Sequence, residues 1–240
     1  MKIITVDNYE KLSNVAAEIL RDIVVQKPTA TLGLATGSTV LGLYANLCKM
    51  YADGEISFKK ITTVNLDEYV GLDSDNIQSY AYFMRMHLFN HIDIDMANTF
   101  IPSGVAADFA AECRRYDSLL TNLPRDVQLL GLGSDGHIAF NEPGSPFDSR
   151  TRVVQLDDST IKDNSRFFSR HEDVPRRAIT VGIADIMSAK QLILLASGVN
   201  KAQAVRAMVQ GEVNVHCPAS ILQRHPNATV IIDKQAASLL

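Results

Sequence analysis

Val127-Gln-Leu-Leu-Gly-Leu-Gly-Ser-Asp-Gly-His-Ile-Ala-Phe-Asn-Glu-Pro-Gly144 lies near the middle of the chain. The apolar run at its start predicts a buried strand, and the glycines that follow predict a tight turn where that strand ends. In an open α/β sheet, ligands bind in the loops at the carboxyl ends of the strands. The stretch therefore marks a strand end at which we expect chemistry.

Two carboxylates flank an imidazole within this loop, as Asp135, His137 and Glu142. A histidine between two acids can be held in one tautomer with a pKa near neutrality, as general acid–base catalysis requires. The alternative is a glycine-rich turn with a structural histidine, which the two flanking acids disfavour. We predict that these three residues are catalytic.

The glycines of the same loop also match a dinucleotide-binding fingerprint, Gly131-x-Gly-x-x-Gly136, with Asp157 about twenty residues further on. That fingerprint requires a helix to begin within the glycines, and Pro143 would interrupt such a helix soon after its start. Asp135 would also place a negative charge against the pyrophosphate. A nicotinamide oxidoreductase is therefore a minor alternative.

The composition of the chain excludes several classes of function. Its 240 residues are 46% hydrophobic, which is enough for a large buried core. The net charge of −4 arises from interspersed acids and bases, so no basic surface for nucleic acid is expected, and no apolar run is long enough to cross a membrane. The three cysteines lack CxxC spacing, which argues against a disulfide framework or thiolate zinc site and favours the cytoplasm.

Strand-like runs alternate with helical patterns along the chain. Strands are predicted at Lys2–Val6, Thr31–Leu34, Ile61–Asn65, Val127–Leu130, Arg152–Leu156, Ala178–Val181, Gln191–Ala196 and Thr229–Ile232. Helices are predicted at Asn8–Gln26, Thr39–Ala52, Ser79–Phe89, Ala106–Leu120, Lys201–Gln210 and Lys234–Leu239. This alternation predicts an α/β fold with an open, mostly parallel sheet and helices on both faces, in a single domain over residues 1–240. The polar segment Asp157–Arg177 is predicted to be a mobile lid.

A second candidate site, Ala35-Thr-Gly-Ser-Thr39, follows the predicted strand Thr31–Leu34. Its glycine allows close backbone approach, its hydroxyls can donate hydrogen bonds, and the helix N-terminus contributes free N–H groups, so the loop suits a phosphate monoester. The Gly-Lys-Ser/Thr ending of a P-loop is missing, which disfavours a nucleotide triphosphate. An ordinary helix cap is an equally good interpretation.

A third candidate site, Asn65-Leu-Asp-Glu-Tyr69, follows the predicted strand Ile61–Asn65. A carboxylate at the end of a buried strand tends to have a raised pKa, which makes it a plausible base for a C–H proton. The alternative is that Asp67 or Glu68 forms a turn or caps a helix.

Taken in order, the phosphate loop, the strand-end acid and the acid–histidine–acid loop resemble the glucosamine-6-phosphate deaminase family. The matching segments span nearly the whole chain: Ala35–Thr39, Asn65–Leu72, Gly131–Gly144, Ser149–Arg152, Asn164–Phe168 and Gly198–Lys201. The resemblance implies a Rossmann-like α/β fold, a phosphosugar substrate, no metal or organic cofactor, and a cytoplasmic location.

The resemblance also implies a role for each candidate residue. Asp67 would be the enolisation base, moving a proton from C2 to C1, and His137 would open the sugar ring with Asp135 and Glu142 in support. The imine so formed would hydrolyse to fructose 6-phosphate and ammonia without an electron-sink cofactor. Phosphate binding would fall to Gly37, Ser38, Thr39, Arg166 and Lys201.

Two other functions remain open at this point. A 6-phosphogluconolactonase-like hydrolase would carry a loop resembling GHxASLFPG, whereas Phe140-Asn-Glu-Pro143 here replaces its Ser-Leu-Phe region and supplies Glu142. A non-catalytic sugar-phosphate-sensing domain would accompany a DNA-binding segment, and this chain enters its first predicted strand at Lys2.

Some members of the deaminase family are hexamers activated by N-acetylglucosamine 6-phosphate. This sequence keeps Ser145 and Arg152 at the corresponding places, but has Pro146 for a second serine and Val154 for a lysine, and it stops at Leu240. Losing a cation and a hydroxyl removes charge-assisted contacts to a phosphate effector. We therefore predict a monomer or small homo-oligomer rather than an allosteric hexamer, with a phosphosugar as its only expected partner.

Overall fold

The computed structural model describes residues 1–165, 168, 170 and 173–240, apart from the side chains of Ser159, Asp163 and Asn164. The strands are β1 (Lys2–Val6), β2 (Thr31–Leu34), β3 (Thr62–Asn65), β4 (Asp67–Tyr69), β5 (Thr99–Phe100), β6 (Val127–Gly131), β7 (Arg152–Gln155), β8 (Arg177–Thr180), β9 (Leu192–Ala196) and β10 (Ala228–Asp233). The helices are α1 (Tyr9–Gln26), α2 (Leu41–Ala52), α3 (Tyr80–His87), α4 (Phe109–Asn122), α5 (Asp158–Ser165), α6 (Ile183–Met187) and α7 (Ala202–Gln210). All eight predicted strands and five of the six predicted helices are present, with ends shifted by a few residues.

Seven of the described strands form one sheet in the order β1-β10-β9-β6-β2-β3-β5, and all neighbouring strands are parallel. The central strands are buried along their length, as in Leu192–Ala196. Continuous apolar runs of this kind suit a parallel sheet covered by helices. The predicted α/β fold with a mostly parallel sheet is confirmed.

The strand order reverses between β6 and β2. From β2 the chain runs outward through β3 to β5, then returns to place β6 on the other side of β2 and continues through β9 to β10. A crevice forms at such a switch point, beyond the carboxyl ends of the strands. The two loops that border this crevice begin at Ala35 and at Leu132, which are the two glycine-rich stretches singled out in the sequence.

A second sheet corrects part of the strand prediction. β7 and β8 do not join the parallel sheet; they pair antiparallel with each other, and β8 pairs antiparallel with β4. The short strand β4 was missed, since Asp67–Tyr69 contains no apolar run. A single residue, Leu66, separates it from β3, so the chain leaves the main sheet directly beside the candidate base.

The predicted helix Lys234–Leu239 is wrong, because the chain forms a series of turns there. The Asp233 carboxylate accepts the N–H of Ala236 at 2.7 Å, the N–H of Gly198 at 3.1 Å and the hydroxyl of Ser197 at 2.6 Å. The end of β10 is thus tied to the loop after β9 instead of continuing into a helix.

The described part of the predicted lid, Asp157–Arg177, contains helix α5 and two buried apolar side chains, Ile161 and Val174. Both belong to a small apolar cluster that also contains Tyr69 and Phe140. Residues 166, 167, 169, 171 and 172 lie outside the described part of the chain. The movement of this segment as a lid therefore stays a prediction.

Within the described residues, no helix combines the length and apolarity needed to cross a membrane.

Gly136, in the loop after β6, should be costly to replace. Its φ is +92°, and an added Cβ would lie 2.8 Å from Sγ of Cys217. Gly54 is a matched control, because its φ is +78° and an added Cβ would have nothing within 4 Å. We expect Gly54→Ala to lower the free energy of unfolding by about 1 kcal/mol. Gly136→Ala should lower it by about 2 kcal/mol more, measured by urea unfolding. Equal losses in the two variants would contradict the packing argument.

Candidate active site

A cleft of about 340 Å³ opens at the carboxyl ends of β2, β6 and β9. Of the predicted site residues, it is lined by Gly37, Ser38, Thr39, Asp67, His137 and Lys201. Asp135 and Glu142 lie behind His137, and Arg166 is outside the described residues. Segments far apart in the chain thus meet in one cleft, as their positions at strand ends predicted.

The loop after β6 holds the imidazole of His137 between two acids. Nδ1 lies 2.8 Å from Oδ1 of Asp135 and 3.2 Å from Oε2 of Glu142. Oδ1 of Asp135 also accepts the backbone N–H of His137, at 3.1 Å. At Gly133, an added Cβ would lie 2.4 Å from Nδ1 of His137, so only glycine permits this close approach. With Nδ1 engaged, Nε2 is the ring nitrogen left for a ligand.

The two acids change the protonation state of His137. Burial by itself would lower the pKa of His137, but the contacts and charges of Asp135 and Glu142 outweigh burial and raise that pKa to about 9. In the reverse direction, His137 holds the pKa of Asp135 below its ordinary value despite burial. The sequence led us to expect a pKa near neutrality. In this structure the ring is instead an imidazolium at neutral pH, since both neighbours are carboxylates.

The rest of the loop is fixed by Asn141, which is fully buried. Its Nδ2 donates to the carbonyls of Ile138 at 3.0 Å and Val181 at 2.9 Å, and its Oδ1 accepts from Nη1 of Arg152 at 2.9 Å. This tight turn puts Ala139 at φ +52°, a conformation that L-residues seldom adopt. Asn141 thereby sets the position of its neighbour, Glu142.

Asp67 lines the cleft at the start of β4 and is 7% exposed. Burial, reinforced by the charge of Glu68, raises the pKa of Asp67 to about 8, while the charge of His137 acts in the opposite direction. The expectation of a strand-end carboxylate with a raised pKa is confirmed. Such a group is a stronger proton acceptor than an exposed aspartate once it is ionised.

Glu68 accounts for the alternative interpretation of this acidic pair. Its Oε1 accepts the N–H groups of Tyr69 and Tyr80, and its Oε2 accepts the N–H of Ala81, each at 2.9 Å. Glu68 therefore binds the first turn of α3, whereas Asp67 is left in the cleft. The helix-binding interpretation is confirmed for Glu68, and the proton-accepting role of Asp67 stays a prediction.

Two loops of similar form flank the cleft. After β2, Gly37 has φ +99° and leads into the 3-10 turn Ser38–Val40; after β9, Gly198 has φ +93° and leads into the 3-10 turn Val199–Lys201. An α-helix begins directly after each turn, which is why α2 starts later than predicted. Backbone N–H groups at the start of a helix lack intrahelical partners and suit an anion. Two such starts and the cation of Lys201 border the same cleft.

Asp135, His137 and Glu142 are also the one group in the described part of the chain that could hold a metal ion, with ligand atoms within 4.8 Å of one another. Nδ1 of His137 faces both carboxylates, so contacts within the group account for the short distances between its three side chains. The absence of a metal cofactor stays a prediction.

Several lining residues were not found from the sequence: Tyr80, Phe140, Thr160, Ser197 and Asn200. The sequence held a signal for Ser197 and Asn200. Ala196-Ser-Gly198 ends an apolar run just as Ala35-Thr-Gly37 follows one, so the loop after it could have been recognised as a second glycine loop. Tyr80 had no such signal. Its ring stacks on Phe140 at 6.0 Å and lies 4.8 Å from Tyr69, a cluster that only the fold assembles.

Comparison with known proteins gives one consistent result. A family model described as glucosamine-6-phosphate isomerases/6-phosphogluconolactonase matches residues 6–231. A glucosamine-6-phosphate deaminase of Thermoanaerobacter pseudethanolicus is 49% identical, over 100% of this chain and 95% of that protein. One of Clostridium perfringens is 48% identical, over 100% of both chains.

Solved structures agree with these sequence relatives. The structure of a monomeric glucosamine-6-phosphate deaminase covers 100% of both chains with a TM-score of 0.99 and 48% identity. A 6-phosphogluconolactonase from Trypanosoma brucei has a TM-score of 0.82 but 22% identity, covering 100% of this chain and 98% of its own. That second likeness concerns the fold alone.

The protonation of His137 can be measured directly. We expect its Cε1 proton to titrate in NMR spectra with a midpoint near pH 9, and Asp135→Asn to lower that midpoint by about one unit or more. The stabilisation from the imidazolium is complete below its ordinary pKa of 6.5 and is lost as pH rises through about 9. A His137→Gln variant assigns the signal. An unchanged midpoint in Asp135→Asn would show that the carboxylate does not set this pKa.

Proposed function

The chain belongs to the family of glucosamine-6-phosphate isomerases and 6-phosphogluconolactonases, and we propose that it is a deaminase of that family. It converts glucosamine 6-phosphate and water to fructose 6-phosphate and ammonia. The observation that carries this proposal is the pairing, in one cleft, of a buried Asp67 with an imidazolium held by Asp135 and Glu142. The Asp67 carboxylate suits transfer of a proton bound to carbon, and the His137 ring suits transfer of protons to and from oxygens.

Ring opening falls to His137. Opening the pyranose requires a proton delivered to the ring oxygen and a proton removed from the C1 hydroxyl. An imidazolium donates the first from Nε2 and, once neutral, accepts the second at the same atom, so the ring ends the step protonated again. Asp135 and Glu142 favour the charged form and hold the ring by Nδ1 throughout.

Isomerisation falls to Asp67. The open-chain aldehyde loses its C2 proton to the carboxylate while O1 takes up a proton, which gives an enolamine across C1 and C2. The same carboxylate, now protonated, returns its proton to C1 while the C2 amine gives up one proton, which leaves an imine at C2. Water adds to this imine and ammonia departs, giving the ketone of fructose 6-phosphate. No electron-sink cofactor is needed, because the C1 aldehyde itself accepts the electron pair left when the C2 proton is removed.

The phosphate of the substrate binds between the two glycine loops. Ser38 and Thr39 follow Gly37, and Lys201 ends the 3-10 turn after Gly198, so hydroxyls, helix N-termini and a cation converge at that end of the cleft. Arg166 is proposed as a further phosphate ligand on the resemblance alone.

The similar proteins disfavour a lactonase. The relatives of 48–49% identity are named glucosamine-6-phosphate deaminases, whereas the lactonase structure is 22% identical. Glu142, which contacts His137, comes from the segment that departs from the lactonase loop. Membership in this family also makes the chain an enzyme rather than a sensing domain. A cytoplasmic location stays a prediction.

The activity is tested by incubating the protein with glucosamine 6-phosphate and measuring ammonia and fructose 6-phosphate. In the same assay Asp67→Asn should abolish product formation and exchange of the C2 hydrogen with deuterated solvent, because an amide cannot accept that proton. Removing a general base costs on the order of 10²–10⁴-fold in rate. Near-normal exchange in Asp67→Asn would remove Asp67 from this role. No ammonia from the unmodified protein would overturn the proposed reaction.

We also propose that the enzyme is not an allosteric hexamer. Arg152, at the place of an effector ligand in some relatives, donates to Asn141 at 2.9 Å and to Ser145 at 3.1 Å, and so already fixes the loop that carries Glu142. Pro146 and Val154 offer neither a hydroxyl nor a cation. A monomeric state is named for one similar deaminase.

Saturation curves should therefore be hyperbolic and unaffected by N-acetylglucosamine 6-phosphate. Light scattering during size exclusion should give a monomer or small oligomer. A sigmoidal curve that becomes hyperbolic when that compound is added would contradict the proposal.

A further inference from the structure

Asp67 and Glu68 are neighbours on β4 that face different parts of the molecule. Asp67 lines the cleft, whereas Glu68, 2% exposed, accepts the backbone N–H of Tyr69 on β4 and two backbone N–H groups in the first turn of α3. A buried acid is costly unless its oxygens find donors. Nothing in the reaction proposed above uses Glu68, so its retention in this costly position calls for a physical explanation.

The contacts of Glu68 connect the strand that carries Asp67 to helix α3, which also borders the cleft. Two of its three donors belong to Tyr80 and Ala81, the first residues of α3. Tyr80 lines the cleft beside Asp67, and its hydroxyl donates to that of Tyr69 at 3.3 Å. One carboxylate therefore fixes the distance between the strand that carries the base and the ring that borders the substrate.

The charge of Glu68 acts on Asp67 as well. Burial raises the pKa of Glu68 to about 7 even though its three N–H donors lower it, and the charge of Glu68 in turn helps to raise the pKa of Asp67 to about 8. An anion next to Asp67 opposes ionisation of the base and increases its affinity for a proton once ionised. The other titratable or charged groups that face this pair are His137 after β6, Tyr69 on β4, Tyr80 on α3, Tyr116 on α4 and, bordering the same cleft, Lys201.

We propose that Glu68 is a positioning residue of the deaminase reaction: it fixes α3 and Tyr80 against the strand that carries Asp67, and its negative charge strengthens Asp67 as a base. The inference rests on the proposed function. It concerns Glu68 acting through Asp67, since no oxygen of Glu68 is needed at the reacting carbons.

The test is the pH dependence of kcat/KM for Glu68→Gln, which removes the charge and keeps the shape. Loss of the neighbouring anion should move the acid limb to lower pH by about one unit, because Asp67 then ionises more readily. The maximal kcat should fall about threefold, since a weaker base transfers the C2 proton more slowly. The substrate is the same for every variant, so a difference in midpoint belongs to the protein.

Two further variants separate the effect of the negative charge of Glu68 from the effect of its hydrogen bonds to α3. Glu68→Asp keeps the anion but shortens its reach to α3, so its acid limb should stay at the wild-type midpoint while kcat falls. Glu112→Gln is the matched control, because Glu112 is another buried acid that accepts a backbone N–H, that of Ser103 at 2.8 Å, away from the cleft. It should leave the acid limb unmoved.

An acid limb of Glu68→Gln that coincides with that of the wild type would overturn the inference, whatever the change in kcat. The same holds if Glu112→Gln shifts the limb equally. Should Glu68→Gln not fold by circular dichroism, Glu68→Asp decides alone: a limb displaced to lower pH would contradict the role of the charge. Wild-type protein without deaminase activity would overturn the proposed function instead, so the two failures are distinguishable.

Discussion

The contact of His137 Nδ1 with Asp135 at 2.8 Å and Glu142 at 3.2 Å constrains most of the cleft. Both carboxylates favour the charged form of the ring, and together they raise the pKa of His137 to about 9. The backbone must also leave room for His137, which explains the glycine at position 133. The buried side chain of Asn141 holds the turn in place with two hydrogen bonds. The conformation of the loop and the protonation of the ring are consequences of one electrostatic arrangement.

At the end of β3, the surroundings of Asp67 have the opposite effect, because they disfavour the charged form of the side chain. Asp67 and Glu68 are adjacent acids in a buried position. The charge of Glu68 opposes ionisation of Asp67 and that of His137 favours it, while three backbone N–H donors favour ionisation of Glu68. The cleft thus places a group that holds its proton near one that readily takes a proton. Separation of the two tasks between two groups permits transfers at oxygen and at carbon within one site.

The strand ends bring these groups together. Because β9, β6 and β2 are parallel neighbours, their carboxyl ends share one edge, and the loops that follow them meet although they are far apart in the chain. Sequence patterns predicted this edge from buried apolar runs followed by glycine. They did not predict that β7 and β8 leave the sheet, because a short strand-like segment has the same pattern in a parallel and in an antiparallel pair.

The sequence by itself determined the α/β class, the three strand-end loops and the residue types proposed for the chemistry, since periodicity and glycine placement are local properties. The tertiary structure decided how Asp67 and Glu68 divide their tasks, and it moved His137 from a near-neutral pKa to a raised one. It also brought Tyr80 and Asn200 to the cleft and replaced the last predicted helix by turns around Asp233. These outcomes depend on burial and on charges brought near by distant segments, which no local pattern encodes.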